Sequence, residues 1–372
     1  MHETNSDTGT NAPATSTITD KNKVDGFALV KKIKAWGHEL GFAEIGIAST
    51  DVSAASQKLL LWLESGYHGE MDYMAKHANL RTTPALLVPG TLSVISARLN
   101  YWQEFKSKQV LADPEHAYIS RYALGRDYHK TMRKRLQKLA ERIESDVATS
   151  NPGLQLSYRV FSDSAPVLEV EFARQSGIAW RGKHSLSLTR KGSWHFLGEI
   201  YLSLPLPADK PIDDYCGTCQ RCIDACPTKA IVAPYEVDAR LCISYLTIEL
   251  PGSIPVELRP LIGNRIYGCD DCQLCCPWNR FAQLGDTDFA VRHGLDSTPL
   301  AELFAWTEQD FESRLAGSPI RRIGHERWLR NIAVALGNTP SSPNATAALE
   351  TRRHHPSALV REHVSWALSN IC

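Results

Sequence analysis

Nine of the ten cysteines fall between residues 216 and 276, and that density constrains the chain more than any other feature. Cys216, Cys219, Cys222 and Cys226, with Pro227 behind them, spell C-x2-C-x2-C-x3-C-P without deviation. Three thiolates at this spacing wrap one iron–sulfur cube, and the following turn carries the fourth to another cube. The proline fixes φ and removes an N–H just past that fourth ligand. A structural zinc site would use two pairs separated by a longer span. Dense cysteines in a reducing compartment point to metal rather than to disulfides.

The second block is Cys269, Cys272, Cys275 and Cys276, followed by Pro277. Cys276 precedes the proline, so it takes the crossover role beside Cys216, Cys219 and Cys222. The other cluster has Cys226, Cys269 and Cys272 and needs a fourth ligand. Cys275 has ferredoxin spacing, while Cys242 is further away in sequence. One dipeptide serving two cubes is awkward, which favours Cys242 and leaves Cys275 for packing. Cys372 reads as a spectator. The radical-SAM pattern C-x3-C-x2-C, which leaves one iron open, does not occur. Both [4Fe–4S] clusters are therefore expected to be fully ligated and to carry electrons to an acceptor.

Around the cysteines lies enough chain for two or three cored domains among 372 residues. Lys+Arg and Asp+Glu balance at 41 each, so bulk charge gives no argument for nucleic acid. Residues 1–24 are polar and read as a disordered tail, with no apolar signal region and no twin-arginine pair. The longest apolar run, residues 59–63, is too short to span a bilayer. A cytoplasmic location follows, with no membrane partner.

Helical periodicity is expected over 25–40 with Gly41 past its end, over 51–63 behind Asp51, over 127–147 and over 167–176. Strands are expected over 43–48, 94–101, 117–122 and 155–161, with a β-rich stretch over 185–204. Together these make an α/β region from 25 to 208. Met132, Leu136, Leu139 and Ile143 mark the inner face of the 127–147 helix. Its basic outer face reads as solvated. Pro205, Pro207 and Pro211 punctuate the boundary with the cysteine region, 209–285.

Residues 286–372 read as helical. Ile332, Val334, Ala335, Leu336 and Asn338 recur at an offset of 32 as Val364, Trp366, Ala367, Leu368 and Asn370, which suits stacked helix pairs of the HEAT type. Residues 320–372 hold seven Arg, three Glu and no Lys or Asp. That excess suits a phosphate backbone and makes Arg321, Arg322, Arg327, Arg330, Arg352 and Arg353 candidates for RNA contacts.

Two decoys fail. Gly177 to Lys183 matches the front of a P-loop, but His184 stands where Ser or Thr should follow, and a helix rather than a strand precedes it. Asp127-Tyr-His129 opens like a histidine-on cobalamin loop, D-x-H-x-x-G, but position 132 is Met.

The chain resembles the epoxyqueuosine reductases, cobalamin and iron–sulfur enzymes of tRNA modification. The likeness rests on residues 122–129 (YALGRDYH), on Asp163-Ser-Ala-Pro166 and on Gly182-Lys183-His184. It continues through both cysteine blocks, 238–249, 264–268, 276–279 and 327–338 (RWLRNIAVALGN), and so runs from about residue 25 to the end. The resemblance implies an α/β cobalamin-binding domain, a ferredoxin-like domain with two [4Fe–4S] clusters and a C-terminal HEAT-like helical part. It places Cys242 among the ligands. His184 departs from the Asn expected after the Gly-Lys pair.

The resemblance further implies base-off cobalamin, a monomer, a tRNA bearing epoxyqueuosine as substrate, and an external low-potential electron donor. The reaction removes an epoxide oxygen as water and consumes two electrons. Asp163 is then the candidate general acid, kept protonated by a poorly solvated site. Without the resemblance it would read as a capping carboxylate. Lys183, His184, Ser185, Ser187, Ser244 and Tyr245 are candidate cofactor contacts. Arg81, Tyr122, Asp127 and His129 are weaker candidates, each explicable as a buried polar group satisfied locally. Two rival functions are a cobalamin-dependent reductive dehalogenase and a ferredoxin-type electron carrier. The second leaves some 200 residues ahead of the cysteines without a role.

Overall fold

A computed structural model describes residues 24–340 and 342–371. All but the last residue of the expected polar tail, and Cys372, lie outside the described residues.

The N-terminal half is built on a four-stranded sheet in the order Glu44–Ala48, Ser93–Asn100, His195–Leu202, Tyr158–Phe161, with every neighbouring pair antiparallel. Side chains alternate between its faces, and both faces are covered. On one side lie the helices Gly26–Glu39 and Tyr128–Ser150, whose Leu29, Ile33, Met132, Leu136, Leu139 and Ile143 pack on Ile45, Ile95, Ala97 and Ile200. Gly198 permits that approach, since a Cβ there would sit 2.8 Å from Leu136 Cδ1. On the other side Phe172, of helix Glu169–Gln175, packs with Ala48, Val94, Phe161 and Tyr201.

The expected helices form close to their expected bounds. Asp25 caps the first by accepting from the N–H groups of Phe27 and Ala28, Gly41 follows it at φ +86°, and Asp127 caps the long helix through the N–H of His129. The buried stripe of the first helix runs through Leu29, Ile33 and Gly37 and leaves Phe27 exposed. One expectation shifts. The strand expected over 117–122 shrinks to Tyr118–Ile119, which pairs in parallel with Arg265–Tyr267, and then turns into a 3-10 helix.

The C-terminal repeat is structural. Its two copies fall on the helices Gly324–Gly337 and Ala358–Ile371, which pack side by side. A Cβ on Gly337 would lie 2.8 Å from Ala367 Cα. Asn338 and Asn370 take matching roles, each donating to a backbone carbonyl beyond its helix, to Arg259 O and Gly337 O respectively. The core of this region also takes in Ile119, Leu124, Ile266 and Tyr267, so the helices are seated on the middle of the molecule. Among the described residues no helix is long and apolar enough to cross a membrane.

Candidate functional site

The two cysteine blocks each close with a short helix, Arg221–Ala225 and Asp271–Leu274, and the two helices pack together. Each block thereby sends its proline-marked cysteine to the other's side. Cys216, Cys219, Cys222 and Cys276 line one cavity of about 250 Å³. Cys226, Cys242, Cys269 and Cys272 line another of about 460 Å³. Cys275 lines neither, and its thiol points at Cys272 O, 3.4 Å away. Burial pushes the Cys269 and Cys272 thiols well above their ordinary range, so they need a bound cation to stand as thiolates. Asp270, between them and buried, accepts from Tyr118, Ser120 and the N–H of Arg121, which ties the cysteine loop to the sheet domain.

The larger cavity continues past its cysteines to Asp163, Glu169, Tyr122, Tyr128, Ser185, Ser187, His195 and Ser244. Asp163 lies between the strand Tyr158–Phe161 and the helix Glu169–Gln175, with a side chain 54% exposed. Its φ of +59° is unfavourable for a residue with a Cβ. Glu169 Oε1 supports that turn by accepting the Asp163 N–H at 2.6 Å. Asp163 Oδ2 accepts from the Tyr128 hydroxyl at 2.6 Å and lies 2.8 Å from His129 Nε2, while His129 Nδ1 lies 2.7 Å from Asp127 Oδ1. Tyr128 is clamped between rings, stacking on Phe196 and on His129 at 4.0 Å each.

This wiring corrects the expected protonation of Asp163. Partial desolvation at the cavity mouth raises its carboxyl, but the hydrogen bonds from His129 and Tyr128 outweigh it and hold the group below the usual range. Burial works against charge on His129 as well, and its bonds to Asp127 and Asp163 prevail, so its pKa is raised. Asp127 is held at about 2 by the same imidazole and by Arg322, against its own burial. These bonds therefore favour a proton on His129 over one on Asp163. The protonated carboxyls are elsewhere. Burial, then the Asp163 charge, pushes Glu169 up to about 8, and burial raises Glu199 well above the carboxylate range.

The other expected contacts divide. His184, Ser185, Ser187 and Ser244 line the larger cavity. The buried His184 Nε2 has no partner, and burial lowers its pKa to about 4, so the ring is neutral. Lys183 instead donates to Gly217 O and Cys219 O at 2.6 and 3.0 Å and holds the first cysteine loop. Tyr245 is turned away, with its hydroxyl accepting the N–H of Glu70, because the helix Ile243–Ile248 buries that face. Arg81 is buried against Ala165 O, behind the Asp163 turn.

Among the arginines, Arg330 is fully buried and donates to the carbonyls of Leu246, Leu250 and Gly252, so it offers nothing to a phosphate. Arg327 and Arg352 are likewise spent on carbonyls, of Ile323 and Ile248 and of Phe304 and Trp306. Arg321, Arg322 and Arg353 are exposed. Arg322 sits 2.9 Å from His129 Nε2, beside Asp163.

Tyr128, Glu169, Glu199 and His195 escape the sequence reading. Glu199 had a signal: a lone carboxylate inside the apolar run that becomes the strand His195–Leu202.

The chain matches two family models. Residues 81–164 match "Epoxyqueuosine reductase QueG, DUF1730", and residues 215–279 match "4Fe-4S double cluster binding domain". It is 58% identical over 344 residues to an epoxyqueuosine reductase of Pseudomonas aeruginosa, covering 91% of this chain and 94% of that one. The Escherichia coli K12 epoxyqueuosine reductase is 55% identical over 345 residues, with 92% and 89% covered. Among solved structures, a selenomethionine-labelled epoxyqueuosine reductase superposes with a TM-score of 0.84 at 27% identity, over 93% of this chain and 91% of that one. An epoxyqueuosine reductase bound to an epoxyqueuosine-modified tRNA-Tyr stem loop gives 0.82 at 27%, with the same coverage.

Proposed function

Because this chain belongs to the epoxyqueuosine reductase family, and is an oxidoreductase with a 4Fe–4S double-cluster domain, we propose that it reduces epoxyqueuosine in tRNA to queuosine at the larger cavity. One observation carries the location: four cysteines, Asp163 and Tyr128 line a single space, with His129 behind Asp163, so electrons can arrive where protons are held. In this reading Cys216, Cys219, Cys222 and Cys276 hold the outer [4Fe–4S] cluster. Cys226, Cys242, Cys269 and Cys272 hold the inner one.

The cavity also fits a cobalamin. Its wall is apolar at Val170, Phe196, Leu197 and Ile231, and polar at Ser185, Ser187 and Ser244, while His184 Nε2 is a buried atom lacking a partner that an amide arm could satisfy. When bound, cobalamin supplies a metal centre that gives up electrons to carbon singly or in pairs. The division of labour is then residues 25–208 for cobalamin, 209–285 for the clusters and 286–372 for tRNA, in a cytoplasmic monomer.

The chain's own residues supply position and protons. An epoxide losing its oxygen as water takes two electrons and two protons and leaves a carbon–carbon double bond. His129 holds a proton against Asp163 Oδ2, and Asp163 presents it at the exposed mouth. Asp127 fixes the imidazole from behind, and the ring stack on Phe196 fixes Tyr128. Arg322 marks the side from which an anticodon loop would approach, with Arg321 and Arg353 available to its backbone.

The test is anaerobic reconstitution with iron, sulfide and cobalamin, followed by reduction in the presence of an epoxyqueuosine-bearing stem loop. Mass spectrometry should show the nucleoside losing one oxygen. An unchanged nucleoside with both clusters and cobalamin in place would refute the reading.

A further inference from the structure

The strand His195–Leu202 buries Glu199 completely, and its Oε2 has no hydrogen-bond donor. On the sheet the Ser96 hydroxyl lies 3.4 Å from its Oε1. The helix Glu169–Gln175 packs on this strand, so Glu169, half-buried in the cavity wall, lies on the same side of the molecule as Glu199, and burial, then the Glu169 charge, raises the Glu199 carboxyl. Two carboxylates cannot both ionise at such range in a poorly solvated place, so the pair retains protons at neutral pH. Nothing in the fold requires this. A Gln at either position would fill the same volume, and an unpaired buried carboxyl is costly.

The groups around the pair do not neutralise it. Asp163, through its charge, and Tyr128 and Tyr201 face it with acidic character, and the nearest cations are Arg81 and His129. Arg81 does not reach either carboxyl with a hydrogen bond and donates to Ala165 O instead. His129 spends its two nitrogens on Asp127 and Asp163.

The reduction consumes two protons, and the His129–Asp163 unit holds one. We propose that the Glu169–Glu199 pair is a proton store that delivers the second. The first carbon–oxygen bond breaks as the substrate carbon takes up two electrons, and the alkoxide takes the proton of the His129–Asp163 unit. The second carbon–oxygen bond breaks to leave the double bond, and the departing hydroxide takes a proton from Glu169. Both electrons are those the reductase activity already draws from its donor. The pair keeps one proton between its two carboxyls after the transfer, so it never stands doubly charged. Solvent then refills it.

This inference rests on the reading of the cavity as the reaction site, and the two can fail separately. The reconstituted enzyme is followed by infrared spectroscopy in the carboxylic-acid region between about pH 6 and about pH 9, above the ordinary glutamate value of about 4.3 and across the raised one of about 8. An acid band that titrates away near 8 and is missing in Glu169→Gln is expected. Glu169→Gln keeps an acceptor for the Asp163 N–H, so stem-loop binding and iron content should be unchanged. Its turnover should fall on the order of 100-fold and lose the alkaline limb near 8. If that variant does not fold, Glu199→Gln is read by the same criteria. No acid band in the wild type, or a band whose loss leaves turnover and its pH profile unchanged, overturns the proposal. Full turnover by Asp163→Asn would sink the reading of the cavity itself, and the band would still report on the pair.

Discussion

The two cysteine cavities are built from the same motif and face different ways. Around the outer one, Tyr215, Arg221, Arg280 and Phe281 are exposed, and Trp278 and Lys183 complete the lining. The inner one opens onto Asp163, Tyr128 and Glu169. One crossover cysteine from each block, Cys226 and Cys276, ties the two spaces together. The contrast gives the molecule a direction. In the proposed reading an external donor would meet the outer cluster at the surface, and the inner cluster would deliver where protons are held.

The sharpest way to break that comparison is to remove one inner ligand and, beside it, one cysteine that lines neither cavity. Cys242→Ser should cost the inner cluster, bring iron from about eight per chain toward about four, and abolish turnover. Cys275→Ser, one residue from a ligand yet outside both cavities, should leave the iron count intact. Equal iron loss in the two variants would exchange their roles.

A second effect concerns protons. His129 has its pKa raised in the fold, so the stabilising contacts to Asp127 and Asp163 are complete below its unfolded value near 6.5 and fade as pH rises through the folded value. His129→Gln should therefore lower turnover by about 10²-fold or more and flatten the alkaline decline of stability. A variant with wild-type pH dependence would remove the imidazole from the proton path.

Smaller changes should separate the arginines. Arg330→Ala strands three buried carbonyls and should destabilise the fold by roughly 3 kcal/mol in denaturant melts. Arg353→Glu should leave the melt alone while weakening stem-loop affinity and reducing its salt slope by about 1. If Arg353→Glu binds as tightly as the wild type, the RNA surface lies elsewhere on the chain.

The cysteine motif was legible because ligand spacing is a local property of the chain, and the helices of 26–39 and 128–150 because their apolar period is. The 32-residue offset likewise survives as paired helices, since each copy must bury the same face. What sequence did not carry is where polar side chains go after folding. Arg330 and Arg353 look alike in a basic segment, yet one lies under the 246–252 turn and the other in solvent. Tyr245, next to Ser244 in sequence, points to the opposite side of its helix. Asp163 was found through a resemblance, but its charge state depends on His129 and Tyr128, more than 30 residues away, and on Glu169 beneath its turn.

The central claim is that electrons and protons meet in one cavity at Asp163. It is tested most directly by counting iron and cobalt on reconstituted wild type and Asp163→Asn side by side and measuring single-turnover conversion of the epoxyqueuosine stem loop. The account predicts equal metal, about eight iron and one cobalt per chain, with conversion in the variant down by about 10² to 10⁴-fold. Equal metal with equal conversion would contradict it.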